Sequence, residues 1–200
     1  SRQSLVIARG KLDAAVKGAS NATASELSAH LFFAAETFAS NTSLRRAFTD
    51  ASRDDSAKVA LVKDLFGSKI SSSASDLLAA IAGLRWSAAG DLVTVIEQLA
   101  IEAEASAANV DGELDRLEAE FFQVSRLIAD NFELRKALVG NGSVDAKRVL
   151  IADVLAKSAS ASTVKLAVAL VTSLRGRSIE AAFADYLFAL ANRRNRLIAL

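Results

Sequence analysis

The single histidine, His30, and the adjacent acids Asp54 and Asp55 are the residues whose types could do acid–base or metal chemistry. His30 lies beside the apolar positions Leu27 and Leu31, with no cysteine or second histidine in the chain. An imidazole without an orienting partner supports neither a metal site nor a Ser-His-Asp arrangement, so His30 reads as a surface or boundary residue. Adjacent carboxylates on a helix diverge by about 100°. Asp54 and Asp55 therefore read as an N-terminal cap that complements the helix dipole, not as the spaced acids of a Mg²⁺ site. No GxxxxGK[ST] phosphate loop occurs. The expectation is a protein that is not an enzyme and carries no cofactor and no metal.

Two charged stretches remain. Glu97, Glu102, Glu104, Asp111, Glu113, Asp115, Glu118 and Glu120 surround a single Arg116. Arg175, Arg177, Arg193, Arg194 and Arg196 form a basic counterpart. Either these are solvated helix faces that neutralise one another within the fold, or they are a charged docking surface for a partner helix. Nucleic acid is not expected, because the net charge is +1 and the basic stretch lacks interleaved aromatics. Tyr186 and Phe188 read as core. Trp86 reads either as the plug of a bundle end or as an interface anchor.

The elements that position these residues are helices. Proline is absent, 52% of residues are hydrophobic, and the β-branched and aromatic signature of strands is thin. Helices are expected over 2–17, 23–40, 41–48, 54–66, 74–85, 91–110, 113–130, 131–138, 144–156, 163–174 and from 178 to the end. Thr23 and Glu26 have capping-box spacing, and Asn41, Asn131 and Ser143 are N-cap candidates. No apolar run reaches the roughly 18 residues of a transmembrane helix, and no signal peptide is visible. The pattern is still periodic at Leu200, so a fragment of a longer protein is expected.

The chain also repeats itself. Leu27, Phe32, Asn41, Leu44, Arg45 and Ala47 recur as Leu117, Phe122, Asn131, Leu134, Arg135 and Ala137, each ninety positions on. One residue is then lost, and Ala57, Lys58, Leu61 and Asp64 recur as Ala146, Lys147, Leu150 and Asp153. A unit this long is a copied domain, not a solenoid module. The fold expected is all-α: two tandem six-helix-type bundles, residues 1–110 and 91–200, sharing the long helix 91–110.

Asn131 to Leu138 (Asn-Phe-Glu-Leu-Arg-Lys-Ala-Leu) and the run Ser143 to Leu155 resemble the delta subunit of bacterial F-type ATP synthase. Its mitochondrial relative is the oligomycin sensitivity conferring protein. The family's Asn-Pro-x-Leu-Arg helix start has Thr42 and Phe132 in place of proline here. Leu187 to Leu200 is similar to the helix that leads into the family's C-terminal domain. The doubled helical domain and the run Leu84 to Ser87, followed by Asp91 to Val93, resemble the longer delta subunits of actinobacteria. In some of these organisms delta is fused behind a membrane-anchored b segment. The family's C-terminal α/β domain, which grips the b subunits, is missing from this chain.

The resemblance implies a stator subunit. It would link the catalytic alpha/beta head to the b subunits of the peripheral stalk, at the cytoplasmic face of the cell membrane and with no membrane span of its own. It also implies a groove, between the first and fifth helices of a domain, that receives the N-terminal helix of an alpha subunit. In the second repeat the expected lining is Leu99, Ala103, Ala107, Leu166, Leu170 and Val171. In the first it is Leu5, Ala8, Leu12, Leu78, Ala82 and Leu84. The second groove is favoured because it adjoins the missing domain. A general all-α adaptor and a carrier of a hydrophobic ligand are the other readings open to such a chain.

Overall fold

Asn41 and Asn131 start their helices in the same way. Each has an extended backbone, and each side-chain oxygen accepts a backbone N–H three residues on, from Leu44 and Leu134, at 3.0 Å. This is the N-cap bond that satisfies one of the free donors of a first turn. It sets the starts of α3 (Thr42–Thr49) and α8 (Phe132–Val139). In the computed structural model, which describes residues 2–199, every regular element is helical. The others are α1 (Arg2–Val16), α2 (Asn21–Ala39), α4 (Asp55–Phe66), α5 (Ser72–Ala82), α6 (Ala89–Val110), α7 (Leu114–Asp130), α9 (Val144–Leu155), α10 (Ala161–Thr172) and α11 (Ile179–Ile198). A 3₁₀ turn, Gly67–Lys69, follows α4. The all-α expectation holds.

Serine caps set four further starts. Ser71, Ser143, Ser160 and Ser178 each accept a backbone N–H from the residue three positions on. The same device corrects one expectation. The second helix begins at Asn21, capped by Ser20 through the Thr23 N–H, so Thr23 and Glu26 lie inside it and form no capping box. Asp54 occupies the N-cap position of α4 but makes no side-chain cap bond. Gly18, with φ of 70°, ends α1 in the left-handed conformation that a side chain would strain.

The chain divides into two compact units, Ser1–Ala103 and Glu104–Leu200, and the division falls within α6. In the first unit, α1 and α4 pack on α5, and α2 packs on α3 and α5. Its core joins Leu12, Leu31, Phe38, Phe48, Phe66 and Ile81 to Leu92, Ile96 and Leu99 of α6. Phe38 meets Phe48 and Phe66 edge to face, with ring centroids 4.7 and 5.8 Å apart. In the second unit, α10 packs on α7, α9 and α11, and α7 packs on α8 and α11. Phe121 lies against Phe183 and Tyr186, at 5.1 and 5.8 Å. Tyr186 is core as expected, but Phe188 is not: it is 63% exposed. Two residues along a helix is a turn of about 200°, which carries 188 to the side opposite 186.

Candidate partner-binding site

The first-repeat lining residues sit on two helices that pack together. Ala8 and Leu12 of α1 and Leu78 and Ala82 of α5 are fully buried where these helices meet. Small side chains at 8 and 82 let the two backbones approach closely. Leu5 and Leu84 are half-buried at the margin of the same core. Ser4 donates its hydroxyl proton to the Arg85 carbonyl and so ties the start of α1 to the chain leaving α5. Beyond this margin α1 turns Val6 and Ile7 outward, 60% and 41% exposed. Neither was anticipated; the adjacency of two aliphatics off the Leu5–Leu12 stripe was the available signal.

The second-repeat residues are covered more completely. Leu99 and Ala103 belong to the first unit, and Ala107, Leu166, Leu170 and Val171 to the second. All six are buried, none more than 2% exposed. A helix that reached these side chains would have to displace part of the protein's own packing.

The acidic stretch is not a solvated face where it runs along α6. Glu97, Glu102 and Glu104 are buried. Within the first unit, Arg9 Nε donates to Glu102 Oε1 at 2.8 Å. Within the second, Lys165 Nζ and the Ser162 hydroxyl donate to Glu104 at 2.8 and 2.7 Å. The neutralisation expected between acidic and basic stretches occurs at Glu118 and Arg194, 3.2 Å apart. Burial pushes the Glu118 carboxyl up, and Arg194 opposes this. Arg193 is fully buried, its Nε donating to Ser106 Oγ at 2.9 Å. Arg177 donates to the Ser173 and Leu174 carbonyls at the end of α10, a cation at the negative end of a helix. Much of the charge is thus spent on internal order.

His30 is the boundary residue it reads as, with a defined task. Its Nδ1 accepts the backbone N–H of Ser71, the N-cap of α5, at 3.0 Å. Glu120, its counterpart in the repeat, accepts the N–H of Ser160, the N-cap of α10, at 2.8 Å. Thr163 Oγ1 and Arg116 Nε also donate to Glu120, at 2.6 and 2.7 Å. Burial alone would raise its carboxyl, but the hydrogen bonds from Thr163, Ser160 and Arg116 outweigh burial and hold it at about 2. Trp86 lies partly buried against the first core, and its indole N–H donates to the Ile81 carbonyl at 3.2 Å. It closes the end of α5.

Among the described residues no cluster of His, Asp and Glu suits a metal ion, and no helix is long and apolar enough to cross a membrane.

No family model matches the chain. The chain is nevertheless similar along its whole length to named proteins. It is 38% identical over 201 residues to "ATP synthase subunit delta" of Streptomyces coelicolor, an alignment covering 100% of the chain and 73% of that protein. The protein of the same name from Streptomyces avermitilis is 37% identical, with the same coverage. That from Kineococcus radiotolerans is 35% identical over 200 residues, covering 100% of the chain and 72% of the relative.

Proposed function

The chain belongs to the ATP synthase delta-subunit family, and on that premise we propose that it is a stator element of an F-type ATP synthase. In this reading it links the catalytic alpha/beta head to the b subunits of the peripheral stalk, at the cytoplasmic face of the membrane. Holding the head still lets rotation of the central shaft drive ATP synthesis instead of being lost as slip. The observation that carries the reading is the similarity to delta subunits over the whole chain, both repeats included.

A connector under torsion needs slow dissociation, which favours an apolar contact bordered by charge. We propose that the contact with the head is an alpha-subunit N-terminal helix laid along a helix pair of one repeat. Burial favours the first repeat over the second for this role. Leu5 and Leu84 stay half-exposed beside α1 and α5, and Val6 and Ile7 extend the apolar surface. The second-repeat residues would need to be uncovered first.

The test is reconstitution. Membranes bearing an ATP synthase stripped of this subunit should regain ATP-driven proton pumping when the full-length protein containing this chain is added back. Pumping that is equally tight without it would overturn the stator role. A labelled peptide from the alpha N-terminus should bind the chain saturably; no binding would overturn the helix contact while leaving the coupling result to stand by itself.

A further inference from the structure

The turn between α8 and α9 carries an open cleft of about 490 Å³ that no reading of the repeat anticipates. Its apolar wall is Ala137, Ala146 and Leu150, and two cations, Lys136 and Lys147, line it together with one carboxylate, Glu133. The volume is in the range of ligand pockets. Apolar surface continues beyond it: Val139 and Val144, 39% and 52% exposed, bracket the Gly140–Ser143 turn. Phe132, 70% exposed, shares a helix face with Lys136 and Val139, at i, i+4 and i+7.

The first repeat shows what this cleft lacks. Lys58, the counterpart of Lys147, is buried, and the loop that precedes its helix carries Asp50. Hydrogen bonds from Ser52 hold the Asp50 carboxyl below the usual range, and the charges of Arg53 and Lys58 add to that effect. Ninety positions on, the residue is Gly140. A Cβ at Gly140 would stand 2.9 Å from the Lys136 carbonyl oxygen, so this backbone cannot carry a side chain without shifting. Where the first repeat has the exposed Asp50, the second has no acid, and Gly142 keeps the loop bare. Two lysines with apolar neighbours are left facing an open cleft beside one glutamate.

We propose that this cleft is a docking site for an acidic segment of a partner polypeptide, with an Asp or Glu side chain entering between Lys136 and Lys147. Charge complementarity chooses the acid. The exposed Phe132, Val139 and Val144 choose a polypeptide over a free anion, since a small carboxylate could not cover them. The site is separate from the α1–α5 surface and does not depend on it. It rests on family membership only for the assembly in which it is tested.

The experiment is carbodiimide cross-linking of the assembled ATP synthase containing this chain, which joins a lysine to a carboxylate in direct contact. Peptide mass spectrometry should find Lys136 or Lys147 joined to an Asp or Glu of another subunit. Cross-links from other positions of the chain show that it is assembled. In their presence, an absence of intersubunit links from both lysines, or links to Glu133 alone, overturns the docking site. A Lys136→Gln/Lys147→Gln variant, whose fold is checked by circular dichroism, should bind the cross-linked partner's acidic peptide about tenfold more weakly. Equal binding overturns the proposal, as does full displacement of that peptide by succinate, which marks a site for small carboxylates instead.

Discussion

Glu120 Oε2 accepts the backbone N–H of Ser160, forty residues away, at 2.8 Å. In the first repeat His30 Nδ1 makes the corresponding bond to Ser71 at 3.0 Å. Two chemically different side chains therefore hold the same point, the N-cap residue at the start of α5 or α10. The serine's hydroxyl caps its helix, and the acceptor from the neighbouring helix fixes the serine.

The carboxylate version is pH-dependent. Its folded value of about 2 lies below the ordinary glutamate value of about 4.3. A depressed folded pKa contributes stability that is fully present above the unfolded pKa and is lost as the proton binds. Denaturant unfolding should show stability falling from about pH 5 toward pH 2. In Glu120→Gln this part of the slope should be missing, with a loss at neutral pH of about 2 kcal/mol, as for a hydrogen bond to a charged group. An unchanged slope in the variant would remove Glu120 as its source.

Replacing His30 costs less, because its bond is between neutral groups. His30→Ala should lower stability by about 1 kcal/mol, less than Glu120→Ala, when both are measured at pH 7. Amide hydrogen exchange should quicken at Ser71 in the first case and at Ser160 in the second.

Glu102 is 1% exposed at its side chain, and Arg9 reaches it from α1. Arg9→Met should destabilise by on the order of 3 kcal/mol, since it removes a countercharge from a buried carboxylate. Adding Glu102→Gln should recover part of that loss. A double variant no more stable than Arg9→Met would show that the carboxylate does not need its arginine.

The helix-contact reading divides the two repeats. Leu5→Asp and Leu84→Asp alter half-buried margins, so the fold should survive while binding of the alpha N-terminal peptide weakens by about 2 kcal/mol. Ala103→Glu and Ala107→Glu place a charge at fully covered positions and should lower the melting temperature sharply before any effect on binding can be read. Folded Ala103→Glu and Ala107→Glu proteins with lost peptide binding would restore the second groove.

Cap chemistry gives the most local test. Asn41→Ala and Asn131→Ala should each cost about 1 kcal/mol, because each removes one bond to a first-turn N–H. The two losses should be similar, given the near-identical cap geometry, and thermal denaturation compares them directly.

What the sequence determined by itself is whatever rests on neighbours three or four residues apart. Asn41, Asn131, Ser143 and Ser178 could be read as helix starts because a cap bond spans three residues and uses a recognisable side chain. Gly18 could be read as a stop, and the absence of proline with helical periodicity excluded a sheet. The copied order of Leu27 to Ala47 and Leu117 to Ala137 needed no structure at all. The tertiary structure decided what depends on which helix lies opposite. Glu102 and Glu104 sit in an acidic run that looks solvated, yet cations from α1 and α10 compensate them in the interior. Phe188 looks like core beside Tyr186, yet the turn between them sends it outward. Ala103 and Ala107 look like an open groove, yet both are fully buried. Capping and periodicity are encoded within a turn of chain, whereas burial and charge compensation are set by contacts tens of residues away.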